Sequence, residues 1–324
     1  MRGALPRGGD HRLTVAIPTY DGRELLAVLL PSLAGQSFRD FGVLVVDDGS
    51  TDGTAGWLAA EWPEVRLVAH PENRGVTAAL NTCLVEPRTE LVLLLNNDME
   101  LDPACLAELV GTLDRHPEAG TAAPKLLDFH DRGRLDGAGD VMTWGGHGHR
   151  RGHGEPDDGR YDTPEEIFGA CGGAMLLRRG AIDDVGPFDA DFHALFEDVD
   201  WALRARLAGW GCRYAPTAVA YHVGSATIGA GLSDFARLRL WRNIVWLVVK
   251  GWPASTIARH LPQLLGYQLL TLAVAARDRR LGVWLAAWRQ AVAGLPRMLV
   301  RRRAIQRARR VTPRELERHL GPRG

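Results

Sequence analysis

The chain has 324 residues, 46% of them hydrophobic and 24% charged, with 39 basic and 39 acidic side chains in balance. That length can bury a sizeable core, and the composition excludes a disordered chain. The balance hides an uneven distribution, since residues 1–236 hold 20 Lys and Arg against 36 Asp and Glu while residues 237–324 hold 19 against 3. This split predicts an acidic domain that handles a metal or cationic centre, followed by a segment that prefers polyanionic surfaces.

Residues 1–12 carry charges and glycines but no apolar stretch of the kind found in a secretory signal, so cytoplasm is the expected compartment. LTVAIPTY (13–20) and FGVLVVDD (41–48) read as apolar strands that end in polar residues. Between them Leu25, Leu26, Leu29, Leu30 and Leu33 recur at helical spacing, with Pro31 as a kink and Gly35 as a stop. Strand, helix, strand is a βαβ unit, and continuously apolar strands indicate a parallel sheet covered on both faces. The alternation continues through a helix in STDGTAGWLAAEW, a strand in VRLVAH, a helix in VTAALNTCLV and a strand in ELVLLL. Residues 13–127 thus form an α/β nucleotide-binding half.

From about 128 to 165 the chain is rich in Gly, His, Asp and Arg, which predicts a mobile surface loop or a twisted hairpin. Order is expected to return in IFGACGGAMLLRRGAIDDVGPFD, then a helix in EDVDWALRARLAGWG and a strand in CRYAPTAVAYHV, with Trp201 and Trp210 in the core. Cys83, Cys105, Cys171 and Cys212 have no C-x-x-C spacing and read as small buried residues. After 237 Trp, Leu, Ala and Arg dominate. The longest charge-free apolar run there, residues 261–276, is shorter than the roughly 20 residues of a spanning helix. Two readings stand for 237–324: amphipathic helices lying on an anionic membrane through Trp241, Trp246, Trp252, Trp284 and Trp288, or a helical cap packed on the catalytic domain.

Asp21, Asp47 and Asp48, and Asp98 all follow apolar strands. Ligands of an open α/β sheet sit outside the carboxyl ends of its strands, so these groups should converge on one crevice. A diphosphate there needs a divalent cation to bridge it to the carboxylates. Dinucleotide binding is disfavoured because PTYDGRE lacks G-x-G-x-x-G, and GAGD (137–140) lacks a third glycine and a clear preceding strand. No G-x-x-x-x-G-K-[ST] occurs either.

AIPTYDGRELL, VLVVDDGSTDGT, HPENRGVTAALN and LLLNND together resemble the successive N-terminal motifs of family 2 inverting glycosyltransferases with the GT-A fold. The stretch FGACGGAMLLRRGAIDDVGPFDADFHALFEDVDWALRARLAGW is similar to the acceptor-side half of that family, and YHVGSAT to its terminal metal-ligand segment. The resemblance covers residues 13–230 and is nearest to the rhamnosyltransferase-like branch, in which an RNxxW motif, here RNIVW at 242–246, follows the catalytic domain. It implies a Rossmann-like, mostly parallel sheet with helices on both faces, in a catalytic domain (13–236) whose acceptor half is 128–236.

The resemblance further implies that Pro18, Tyr20 and Asp48 cradle nucleobase and ribose, and that Asn73, Arg74 and Gly75 line the nucleotide pocket. It places Asp98 and His222 on a divalent cation, Mn²⁺ or Mg²⁺, imidazole favouring the softer ion. Asn97 stands where many members carry a ribose-facing Asp. Asp198 matches the base, with Glu197 and Asp200 in support, although acids also favour helix N-termini for capping alone. Gly172 and Gly173 let backbone approach donor or acceptor, or make a tight turn. Asp189 and Asp191 resemble acceptor contacts. His147, His149 and His153 read as part of a flexible acceptor or lid loop, a second metal site being the less favoured alternative.

The expected donor is dTDP-rhamnose or a UDP-hexose, and the expected acceptor a glycan or lipid-linked glycan of a cell envelope. The enzyme is expected at the inner face of the membrane, with no nucleic acid among its partners. An inactive carbohydrate- or lipid-binding module and a sugar nucleotidyltransferase are the competing functions. The first would predict loss of Asp98 or Asp198, and both are present; the second needs a glycine-rich loop after the first strand, which PTYDGRE is not.

Overall fold

A computed structural model of the chain describes residues 4–6, 9–224 and 233–321. The N-terminal half runs β1 (Leu13–Thr19), α1 (Arg23–Ala34), β2 (Phe41–Asp47), α2 (Thr54–Glu61), β3 (Arg66–Ala69), α3 (Val76–Val85) and β4 (Leu91–Leu95), as its apolar periodicity predicts. It continues with β5 (Met99–Leu101), α4 (Cys105–Arg115), β6 (Ala119–Asp128) and β7 (Leu135–Gly137). A hairpin follows in β8 (Asp140–Met142) and β9 (Gly148–Arg150), then β10 (Glu165–Ile167), β11 (Ala174–Arg178), α5 (Arg179–Val185), α6 (Glu197–Leu207) and β12 (Gly211–His222). The C-terminal helices are α7 (Asp234–Gly251), α8 (Ala254–Arg259), α9 (Leu261–Arg277), α10 (Leu281–Ala308) and α11 (Pro313–Glu317).

The main sheet has the order β10-β12-β6-β11-β4-β1-β2-β3, with β5 paired to β12 and β7 to β6. Strands β3, β2, β1 and β4 are mutually parallel, β6 and β12 are parallel, and β11 runs antiparallel between β4 and β6. Alternate strand residues feed opposite layers. Leu13, Val15, Ile17, Leu91, Leu93 and Leu95 pack with α1, α2 and α4, whereas Ala16, Leu44, Val46, Val92 and Leu94 pack with α3, α5 and α6. Both faces being covered explains the unbroken apolar runs. Pro31 sits inside α1 without ending it. Trp201 is fully buried, Trp210 packs at the core's edge, and the four cysteines are free and buried.

One open alternative is decided and two expectations are corrected. Residues 128–165 are no mobile loop: Leu135 to Met142 are buried, and the β8–β9 hairpin takes the twisted-hairpin alternative. The expected boundary at 236 falls inside α7, an unbroken helix whose Ser233 side chain accepts from the Ala236 N–H. Trp241, Trp246 and Trp252 are buried in the protein, so they cannot meet lipid. One cluster joins Phe192, Phe196, Val199 and Leu203 to Ile244, Trp246, Leu247 and Trp252, and it extends to Met298, Leu316 and Leu320. The Gly321 N–H even returns to the Met142 carbonyl at 2.7 Å. The C-terminal helices are therefore a cap that shares a core with the catalytic half.

Because that core is shared, the full chain should unfold in urea in one transition seen alike by fluorescence and circular dichroism. Trp246→Ala should lower stability by about 3–5 kcal/mol, the cost of emptying a large buried site. A chain ending at residue 236 should expose this apolar surface and bind a hydrophobic dye; a truncated chain with native stability would contradict the shared core.

Candidate active site

The strand ends form the first part of the site. Gly49 has φ +80°, and a Cβ there would lie 2.6 Å from the backbone of Glu72, so only glycine lets the turn after β2 meet the ENRG turn this closely. Asp48 is buried and holds that turn in place: its carboxylate accepts from the Arg74 N–H at 3.1 Å and the Gly75 N–H at 2.8 Å, with His70 Nδ1 at 2.6 Å. Asn73 Oδ1 accepts from the same Gly75 N–H at 3.0 Å. Asp47 closes its own turn by accepting from the Ser50 N–H, and Asp21 reaches across to the Thr51 N–H. Pro18 is buried in β1, Tyr20 lies half exposed just beyond it, and Arg74 is exposed. An open groove of about 700 Å³ begins at Arg74 and Gly75 and runs along α3 to His193, Phe235 and Arg239.

The tip of β4 forms the second part. Asn97 donates to Thr19 Oγ1 at 2.8 Å, tying the tip to the end of β1. The next residues make β5, whose antiparallel register sets Met99 opposite His222, and Asp98 thereby meets His222 Nε2 at 3.2 Å. His222 Nδ1 is 2.9 Å from Asp136, delivered by the β6–β7 pairing. Burial opposes a charge on His222, but its hydrogen bonds to Asp136 and Asp98 outweigh that and push the imidazole up to about 9. Asp98 Oδ1 is buried without a hydrogen-bond partner. An orphaned carboxylate oxygen beside an oriented imidazole fits a divalent cation. Among the described residues no group of three or more His, Cys, Asp or Glu forms a complete cage, and Asp98 and His222 are the pair that the strand register brings together. Ser225, Ala226 and Thr227 of YHVGSAT lie outside the described residues.

The third part is the start of α6. The Gly172 N–H donates to Asp198 Oδ2 at 2.9 Å, and a Cβ on Gly172 would sit 3.1 Å from that oxygen. The Gly173 carbonyl accepts from the Asn96 N–H at 2.9 Å. Two consecutive glycines thus bridge the β4 tip and Asp198. Burial, then the neighbouring Asp198, holds the Glu197 carboxyl well above the usual carboxylate range. Sequence reasoning missed Asp140 and Arg150. Asp140 is fully buried and raised by burial and by Asp198, while Arg150 ion-pairs with Asp136 and has its charge favoured by Asp136, Asp140 and Asp198. The signal lies in DGAGD (136–140), where two aspartates flank three small residues, a pattern that a search for a glycine-rich phosphate loop passes over.

Several expected roles change. Asp200 is fully buried and paired with Lys250 at 2.5 Å and Arg204 at 2.9 Å, so it anchors α6 to α7. Asp189 also takes Lys250, at 2.6 Å, and it pairs with Arg301; Asp191 meets Arg301 at 2.9 Å, so both are engaged by the cap. His147 stacks on Tyr267 at 4.1 Å, and burial lowers it to about 4, while His153 Nδ1 approaches the Asp136 carbonyl. The His147 and His149 rings lie 5.9 Å apart while His153 turns to the Asp136 carbonyl, so the three do not converge on one point.

Between Asp189 and α6 the chain turns through positive φ at His193 (60°), Leu195 (68°) and Phe196 (70°). Asn243 of RNIVW donates to the carbonyls of Phe192, Ala194 and Leu195 at 3.2, 3.2 and 2.7 Å, and Arg242 donates to those of Asp191 and Phe192 at 3.2 Å. The motif that follows the catalytic half is thus a clamp on the turn that leads into Asp198.

The model of the family described as "Glycosyl transferase family 2" matches residues 14–186. An N-acetylglucosaminyl-diphospho-decaprenol L-rhamnosyltransferase of Mycobacterium tuberculosis is 30% identical over 232 residues, covering 65% of this chain and 75% of its own length. The O-antigen biosynthesis protein RfbC of Myxococcus xanthus is 33% identical over 228 residues, and an uncharacterized protein y4gI of Sinorhizobium fredii is 28% identical over 258. These matches span only 17% and 28% of those two longer relatives. Among solved structures, S. aureus TarS 1-349 in complex with UDP-GlcNAc superposes with a TM-score of 0.59 at 18% identity, covering 95% of this chain and 89% of that one. Mannosyltransferase PcManGT from Pyrobaculum calidifontis, in complex with GDP-Man and Mn2+, gives 0.55 at 22% identity, covering 94% and 88%. With the fold of these glycosyltransferases and a family match over more than half its length, the chain belongs to glycosyl transferase family 2.

Proposed function

We propose that the protein is an inverting glycosyltransferase that moves a sugar from a nucleoside-diphosphate donor to a hydroxyl of a lipid-linked glycan, with Asp198 as the base. The observation that carries this reading is the Gly172–Gly173 step, which holds Asp198 on one side and the Asp98 tip on the other. The nucleotide lies over the strand ends, against Pro18, Tyr20 and the turn of Asn73, Arg74 and Gly75 that Asp48 organises. Asn97 keeps the tip seated on Thr19 at the ribose side. Asp98 and His222 would hold Mn²⁺ or Mg²⁺, which when bound neutralises charge growing on the departing diphosphate.

Asp198 accepts the proton of the acceptor hydroxyl as its oxygen bonds to the anomeric carbon; the carbon–oxygen bond to phosphate breaks and the nucleoside diphosphate leaves with the electron pair. Glu197, raised by burial and by Asp198 itself, adds little competing charge beside that base. Since one group attacks opposite the leaving group, the configuration inverts. The lipid-linked acceptor and an activated rhamnose donor take support from the Mycobacterium relative's name, and UDP-hexoses take support from the TarS complex.

Incubating the protein with nucleotide sugars, with and without Mn²⁺, tests the reading. Released nucleoside diphosphate supports it, released pyrophosphate would mean a nucleotidyltransferase, and binding without release a carbohydrate-binding module. Asp98→Ala should abolish turnover while leaving the circular dichroism spectrum intact, and wild-type turnover surviving EDTA would count against the metal. Asp198→Asn should lower kcat by roughly 10²- to 10⁴-fold with donor KM nearly unchanged; turnover within a few-fold of wild type would remove Asp198 from the base role. Asn243→Ala withdraws the donor shared by three carbonyls and should lower kcat more than donor KM, which steady-state kinetics would reveal.

A further inference from the structure

The exposed apolar surface of the cap is concentrated where neither the core nor the active site accounts for it. Leu265, Leu269 and Leu270 on α9, and Leu285, Val292 and Val300 on α10, are each more than half exposed. Among the other large hydrophobic residues described, only Val85 and Phe235 are as open. On α9 the outward positions Pro262, Leu265, Leu269, Ala273 and Ala276 recur at helical spacing and carry no charge. The two helices are joined by residues 278–280 and pack near that turn, where Trp284 Nε1 donates to Thr271 Oγ1 at 3.1 Å. Trp284 and Trp288 are half-buried beside the stripe, unlike the three tryptophans lost to the core.

Charge identifies the occupant. Asp278 is the only acidic residue from 261 to 308, and that stretch holds nine arginines. Of these, Arg289, Arg303 and Arg307 are exposed and have no carboxylate partner among the described residues. A second copy of the chain docking here would oppose arginine to arginine, whereas an anionic bilayer offers hydrocarbon for the leucines and phosphate for the guanidinium groups. Among the described residues no helix is long and apolar enough to cross a membrane, which leaves an in-plane arrangement.

We infer that the outward faces of α9 and α10 form a membrane-docking surface that lies in the headgroup region of an anionic phospholipid bilayer. This inference rests on neither Asp98 nor Asp198. The apolar stripe supplies depth of insertion, the unpaired arginines, which share the face of Leu285, Val292 and Val300 on α10, supply preference for anionic lipid, and Trp284 and Trp288 lie half-buried beside that face.

The test is co-sedimentation of the full chain with phosphatidylcholine vesicles, with or without phosphatidylglycerol, at low and high salt. The chain should pellet with the anionic vesicles, weakly with the neutral ones, and less as salt rises. Leu269→Glu with Leu285→Glu should reduce partitioning by more than about ten-fold while leaving the circular dichroism spectrum and release of nucleoside diphosphate in solution unchanged. Arg289→Gln with Arg303→Gln should remove the lipid preference and the salt dependence. No pelleting at low salt, or pelleting undiminished in the double Glu variant, would overturn the inference. A dimer in analytical ultracentrifugation that the double Glu variant dissolves, with no vesicle binding, would assign the face to a second copy instead.

Discussion

The arrangement depends on one over-determined turn. His193, Leu195 and Phe196 occupy a backbone region that costs of order 1–3 kcal/mol per non-glycine residue and persists only when neighbours enforce it. Here the neighbours are one helix away in space and some fifty residues away in sequence. Asn243 gathers three carbonyls of the turn, Arg242 takes two, and Lys250 reaches between Asp189 before the turn and Asp200 after it. Lys250 is almost wholly buried and also lies over the Phe192 ring at 4.6 Å. Removing one member of such a buried ionic set strands the others without water, which makes the set costly to break even where it adds little net stability. Its consequence is geometric: the first turn of α6, and Asp198 with it, is aimed by α7.

That constraint also explains the division of acidic groups. Asp189, Asp191 and Asp200 are neutralised by Lys250, Arg301 and Arg204 from the cap and from α6. Asp136, Asp140 and Asp198 are left around Arg150 on the inner side, next to the Asp98–His222 pair. The opposed charges of the two parts of the chain, so plain in composition, are therefore partly spent on each other. Of the basic charge that remains, Arg289, Arg303 and Arg307 face outward on α10.

How much of this was legible follows from the range of the forces involved. Local apolar periodicity marked β1 to β4 and α1 to α3, because β1, β2 and β4 are buried on both faces and each helix buries one side, while the edge strand β3 is only half covered. The placing of Asp98 beside His222 was readable only through resemblance, since it depends on the three-residue strand β5 and its register with β12. Asp136 and Asp140 hid in a glycine-rich stretch whose composition resembles a loop, although it pairs with β6 and is buried. The tryptophans in and just after α7 misled for a related reason. Amphipathic composition fits a membrane face and a protein core equally well, and only the packing of Trp246 and Trp252 against α6, α10 and α11 decides between them.

The central claim is that a single carboxylate, aimed across the sugar from its diphosphate, performs the transfer. Proton NMR of the product, formed with whichever nucleotide sugar the protein turns over, reads the anomeric configuration directly from the coupling of the new glycosidic centre. The account predicts a product with the configuration opposite to that of the donor from the earliest time point; a product that retains the donor's configuration would contradict it.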